Sequence, residues 1–216
     1  MSSKYPIIVI TGSSGSGSAK VSEVFSHIAW REKINHLVID GSAFHRYERD
    51  EMARQVEQAC ADGRFLSHFS PEGNRLDLLE QLFKEFSEQG RGRYRHYLHT
   101  EEQALEFSQP VGTFTPWEPL PEGLDLLVYQ GLHGAYSGED ADITRYADLV
   151  LGVAPIVNLE WIQKIHIDIR NRGYTLDEVR SVIQHRLHDY VHYITPQVTN
   201  PCLFYPSHAA DDLTRG

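Results

Sequence analysis

Cysteine is nearly absent from this 216-residue chain: Cys60 and Cys202 stand alone, with no CxxC pair. That excludes a disulfide framework and makes a reducing cytoplasm the expected setting. Long apolar runs are missing too, so no segment approaches membrane-spanning length. The opening Met1-Ser-Ser-Lys-Tyr-Pro6 lacks the apolar core of a secretory leader. Basic residues are in deficit: 20 Lys and Arg against 30 Asp and Glu leave a net charge of −10. This balance excludes a chain built to coat nucleic acid or an anionic membrane, and leaves room for a local basic pocket. What is present suffices for a core. Hydrophobic residues make up 41 % of the chain, which excludes general disorder, and the length fits one large domain. Histidine is plentiful at 12 residues, so no single one carries much weight as a metal ligand.

Along the chain, Pro6–Ile10 is a short β-branched run that reads as a buried strand. A helix follows over 19–31, with Val21, Val24, Phe25, Ile28 and Ala29 at helical spacing. Further strands are expected at His36–Asp40, Leu124–Gln130 and Ala147–Val153. Helices are expected at 46–62, 75–89, 159–171 and 176–193, the second with Leu76, Leu79, Leu82, Phe83 and Phe86 on one face. Between Gly90 and Gly123 the texture changes to loops and a β-hairpin, and Gly90-Arg-Gly-Arg-Tyr-Arg95 reads as a solvated loop. Short strands alternating with helices predict an α/β fold, a mostly parallel sheet covered on both faces.

The first strand runs into Gly12-Ser-Ser-Gly-Ser-Gly17, immediately before a helix. In that context glycines let backbone N–H groups converge, and the helix N-terminus adds partial positive charge. The nucleotide-binding pattern is GxxxxGK[ST]. Gly12 and Gly17 occupy its two glycine positions, but Ser18-Ala19 replaces the final pair, which removes the lysine and the Mg²⁺-binding hydroxyl. Spacing alone leaves two readings open, a phosphate cradle and an ordinary Gly/Ser turn.

Several further blocks bear on that choice: Gly41-Ser-Ala-Phe-His-Arg46, Ser67-His-Phe-Ser70, Tyr129-Gln-Gly-Leu-His-Gly134, Asn158-Leu-Glu-Trp-Ile-Gln-Lys-Ile-His166, Arg172-Gly-Tyr174 and Tyr193-Ile-Thr-Pro-Gln197. With the Gly12–Gly17 loop they resemble, in order, the bacterial-type phosphoribulokinases. The resemblance implies a P-loop kinase fold that moves the ATP γ-phosphate to the 1-hydroxyl of ribulose 5-phosphate with Mg²⁺. It implies phosphate contacts from Gly12, Ser13, Ser14, Gly15, Ser16, Gly17, Ser18 and Ala19, and substrate contacts from His45, Arg49, Lys164 and Arg172. Asp168 is implied as a second acidic group near the site, and Tyr97 and His99 as part of a substrate-side loop.

Four positions depart from the family pattern. Ser42 stands where the family has its proton-accepting aspartate, and a serine cannot take a proton near neutral pH. Gln130 stands for a strand-end glutamate, Ala19 for a loop hydroxyl and Ile167 for an arginine. Random drift would seldom select these four. The expected protein is therefore a phosphoribulokinase-like chain, impaired or inactive in transfer, that still binds nucleotide or sugar phosphate. Two alternatives stand beside it: an active sugar or nucleoside kinase with Asp168 or Asp40 as base, and a non-catalytic regulatory subunit in a homo- or hetero-oligomer with an intact paralogue. His185, His188 and His192 share a helix face, but with Asp189 expected to point elsewhere they read as packing or surface residues, and no metal ligand set is expected. The kinase domain is expected over 1–197. A divergent tail over 198–216, with two prolines, is expected to add no strand and to leave a sheet edge uncovered.

Overall fold

A computed structural model describes residues 4–13, 15–155, 157–198 and 203–205. Strands β1 (Ile7–Thr11) and β2 (His36–Asp40) flank helix α1 (Ser18–Arg31), and helices α2 (Arg49–Ala61) and α3 (Leu76–Gln89) follow. An excursion carries β3 (Arg93–Tyr94), α4 (Glu101–Phe107) and β4 (Glu118–Pro119). The chain then returns through β5 (Leu126–Gly131), β6 (Leu149–Val153), α5 (Val157–Arg172), α6 (Leu176–Asp189), α7 (Thr195–Val198) and β7 (Leu203–Tyr205). The main sheet has the order β2-β5-β1-β6-β7, with parallel pairing throughout. No helix of the described residues is long and apolar enough to cross a membrane.

Period-two alternation divides the core between the two faces of the sheet. Ile7, Val9, Leu127 and Tyr129 face α3, whose Leu79, Phe83 and Phe86 are wholly buried. Ile10, Val128, Leu151 and Val153 face the other way and meet Val21 and Phe25 of α1. Val24 and Ile28, expected in the same stripe, are exposed. Val24 lies on the wall of the cavity described below, so its position on α1 overlooks open space rather than sheet.

Two expectations need correction. The tail does add a strand: β7 pairs in parallel with β6, Leu151 opposite Leu203, so the edge of β6 is covered. Pairing needs only a few extended residues, which the prolines at 201 and 206 leave between them. The second correction concerns Arg95, which is no solvated loop residue. It donates to the carbonyls of Ala43 and His45, each at 2.8 Å, and stacks 3.5 Å from the centroid of Phe114. Burial pushes its pKa down to about 10. This bracing is possible because β3 and β4, with α4 between them in the chain rather than a hairpin turn, pair antiparallel and fold the excursion back over the end of β2.

Candidate functional site

The strand register brings three chain segments together. Asp40 of β2 and Ile10 of β1 both lie opposite Gln130 of β5, and Thr11 lies opposite Gly131. The carboxyl ends of three parallel strands thus share one edge, where open α/β sheets place ligands. A cavity of about 1250 Å³ opens there. Gly12, Ser13, Gly15, Gly17, Ser18 and Ala19 line it, together with Ser42, His45, Arg49, Gln130 and Lys164. Ser16 is buried within the loop and Asp168 lies behind Lys164, so neither lines the cavity. Ser14 and the side chain of Arg172 lie outside the described residues. The lining carries Lys20, Arg49, Lys164, Arg170 and Arg186 together with the acids Asp40 and Glu57, and Lys164 is paired with Asp168 just behind the wall. A chain of net −10 therefore keeps a basic cleft.

The loop fits phosphate. Gly15 and Gly17 sit at φ +99° and +89°, which only glycine adopts without strain, and they turn the backbone into the N-terminus of α1. The first turns of α5 hold the loop in place. A Cβ on Gly15 would lie 2.5 Å from the Glu160 carbonyl oxygen, and Ser13 Oγ donates to the Glu160 carboxylate. Tyr190 donates to the other oxygen of Glu160 at 3.0 Å, and burial raises the pKa of this carboxyl. Gly15→Ala is therefore expected to disrupt the loop, and nucleotide binding measured by calorimetry should fall at least tenfold.

The donor set beside the loop does not fit a magnesium ion. Gln130 Nε2 donates to Ser18 Oγ at 3.0 Å, presenting an N–H where a hard cation needs oxygen. Ala19 offers a methyl group, and among the described residues no carboxylate hydrogen-bonds to Ser18 or Gln130. Nor do the described residues contain a group of three His, Cys, Asp or Glu side chains that could hold a metal.

At the other end, Ser42 sits in a short 3₁₀ turn, Gly41–Phe44, capped by Asp40. Asp40 Oδ1 accepts from the Ser42 backbone N–H at 2.8 Å and from Ser42 Oγ at 2.7 Å. His99 Nε2 lies 2.9 Å from the same Oγ. A serine has one hydroxyl hydrogen, so with that hydrogen on Asp40, His99 is the donor. The result is a chain from His99 through Ser42 to Asp40. His45 Nδ1 donates to Asn74 Oδ1 at 2.9 Å, and its ring stacks on His68 at 3.9 Å. Burial lowers the pKa of His45 to about 4 and keeps the ring neutral. Lys164 Nζ meets Asp168 Oδ2 at 2.6 Å in a buried pair.

Sequence reasoning missed Glu160, although it lies inside the quoted block from Asn158 to His166, and it missed His68, Asn74 and His133. His185, discounted in the sequence, lines the cavity. His188 and His192 stack on each other at 4.1 Å. Asp189 does not point elsewhere: its Oδ1 lies 3.1 Å from His188 Nδ1, and its Oδ2 accepts from Ser67 at 2.7 Å. The one-residue step along α6 is bridged because the buried carboxylate lies between that helix and the loop at Ser67.

Comparison with known proteins fits this geometry. Residues 7–213 match the model of the phosphoribulokinase / uridine kinase family. The chain is similar to the chromosomal phosphoribulokinase of Cupriavidus necator, at 48 % identity over 91 % of this chain and 68 % of that protein. It is equally similar to phosphoribulokinase 2 of Cereibacter sphaeroides, at 48 % over the same shares. Among solved structures, a phosphoribulokinase from Rhodobacter spheroides superposes with a TM-score of 0.79 at 42 % identity, over 92 % of this chain and 68 % of that one.

Proposed function

The chain belongs to the phosphoribulokinase / uridine kinase family, and from that premise we propose that it binds nucleotide and sugar phosphate in the cleft but is severely impaired in phosphoryl transfer. The carrying observation is what occupies the two strand ends. Ser42 and Gln130 are neutral, and each is engaged in hydrogen bonds within the protein, to Asp40 and Ser18 respectively. Transfer to a sugar hydroxyl needs a proton acceptor and stabilisation of spreading phosphoryl charge. Neither neutral group supplies these. The glycine loop would hold the nucleotide phosphates, and Arg49, His45 and Lys164 the sugar phosphate. Titration calorimetry with ATP and with ribulose 5-phosphate is expected to show binding, while ADP release stays near background. Absence of binding to both ligands would sink this reading.

One observation favours a second reading, an active kinase with Asp40 as base. Asp40 lines the cavity, Ser42 holds its Oδ1, and its Oδ2 makes no hydrogen bond among the described residues. On this reading the wild type turns over, and Asp40→Asn lowers the rate by about 10²–10⁴-fold. Asp168 has less support as a base, since it pairs with Lys164 and does not line the cavity. A non-catalytic subunit paired with an intact paralogue shares the binding prediction, and co-purification of a mixed oligomer would distinguish it.

A further inference from the structure

We infer that Arg170 is the phosphate anchor of the cavity wall, a cation placed one helical turn beyond Ile167. Gln163, His166, Ile167 and Arg170 follow the i, i+3, i+4, i+7 spacing of one helix face, and all four line the cavity. That face belongs to α5, whose first turns already hold the phosphate loop: a Cβ on Gly15 would meet the Glu160 carbonyl oxygen and, at 3.0 Å, the Lys164 backbone nitrogen. Arg170 lies six residues beyond Lys164, about 9 Å along the helix axis. Its side chain lines the same cavity as the loop.

Three observations make the guanidinium a ligand group rather than a solvated surface charge. Arg170 makes no hydrogen bond or ion pair among the described residues, whereas Arg31, Arg54, Arg64, Arg75 and Arg180 each pair with a nearby acid. Next, Arg186 of α6 lines the same cavity, so Arg170 is one of several cations on its wall. Finally, the two acids lining the cavity lie elsewhere, Asp40 at the end of β2 and Glu57 on α2. A planar guanidinium with no internal partner presents two parallel N–H groups that match phosphate oxygens. Ile167, at the position where an arginine was expected, offers only a hydrocarbon wall. The charge has moved by three residues and stays on the same face of the helix.

The ligand chemistry is that of phosphoryl oxygens, carried either by a nucleoside triphosphate or by a sugar phosphate. This inference rests on the reading that the cleft binds such ligands. The test measures binding of a non-hydrolysable ATP analogue and, separately, of ribulose 5-phosphate by calorimetry. The proteins compared are the wild type, Arg170→Gln and the exchange Ile167→Arg with Arg170→Gln. Arg170 is exposed, so its replacement is expected to leave the melting temperature unchanged. Arg170→Gln should weaken one ligand by about 10- to 100-fold, and the exchange should recover most of that loss. The ligand that weakens identifies which phosphate the arginine holds. Unchanged affinity for both ligands in Arg170→Gln overturns the inference and leaves the binding reading intact. A wild type that binds neither ligand overturns both.

Discussion

Restoring three side chains together, Ser42→Asp, Gln130→Glu and Ala19→Ser, is expected to raise ribulose 5-phosphate-dependent ADP release by about 10²–10⁴-fold over the wild type. The changes act on different requirements. Aspartate at 42 returns a proton acceptor to the turn after β2. Glutamate at 130 replaces an amide that donates to Ser18 with a carboxylate that can only accept. Serine at 19 returns a hydroxyl to the first turn of α1. Ser42→Asp alone should gain much less, because Gln130 still donates to Ser18 and Ala19 still lacks a hydroxyl. In either variant the new carboxylate arrives beside Asp40, which lies 2.7 Å from Ser42 Oγ. Two carboxylates so close share a proton unless a cation or donor separates them, and His99, 2.9 Å from Ser42 Oγ, is the available donor. Adding His99→Ala to the triple variant should therefore remove much of the gain. A coupled assay decides the matter. A restored protein no faster than the wild type would discard the impaired-kinase reading, as would a wild type already turning over at a rate abolished by Asp40→Asn.

Acid is expected to destabilise this protein steeply well above the carboxylate range. His45 and His133 are both buried, and burial lowers each pKa from 6.5 to about 4. His68, stacked on His45, is pushed the same way by burial and by its basic neighbours. A depressed folded-state pKa means that the unfolded chain takes up protons first. The stability these rings contribute is therefore complete above about pH 6.5 and is lost as the pH falls towards 4. A displacement of this size corresponds to roughly 3 kcal/mol for each of His45 and His133, a large share of the stability of a domain. Glu160 acts in the opposite sense. Its raised pKa adds stability as the pH falls, and that contribution is lost as the pH rises through the folded value. Urea midpoints measured between about pH 7.5 and 4.5 should show the histidine loss dominating. His133→Gln, which keeps a donor for the His68 carbonyl 3.1 Å away, should flatten the slope. A slope equal to that of the wild type would assign the acid sensitivity to other groups.

Much of the scaffold was legible in the sequence because it rests on local rules. The strands from Ile7, His36, Leu126 and Leu149 appear within three residues of where β-branched runs end in polar or glycine-rich turns. Helix α3 buries the five residues its spacing selects. The tail strand was not legible, because three extended residues between prolines carry no periodic signal and become a strand only beside β6. Arg95 was misread for a similar reason. A glycine- and arginine-rich stretch looks solvated until Phe114 and Trp117, about twenty residues later, fold over the guanidinium.

By itself the sequence determined the alternation of strand and helix, the loop of glycines at the end of β1, the basic residues available to a cleft, and the side-chain chemistry of Ala19, Ser42, Gln130 and Ile167. Each depends on residue type and on spacing within one element, where geometry follows from 3.6- and 2-residue periods. Only the tertiary structure decided what those residues touch. Gln130 turns its amide to Ser18 across 112 positions, Ser13 reaches Glu160 across 147, and His99 reaches Ser42 across 57. Parallel pairing of distant strands sets these contacts by bringing the carboxyl ends of β1, β2 and β5 to one edge. Crossover helices then lay α5 against the loop. The same packing separated Asp168 from the cavity and left Arg170 on its wall, a difference of two residues on one helix that no spacing rule read along the chain could assign.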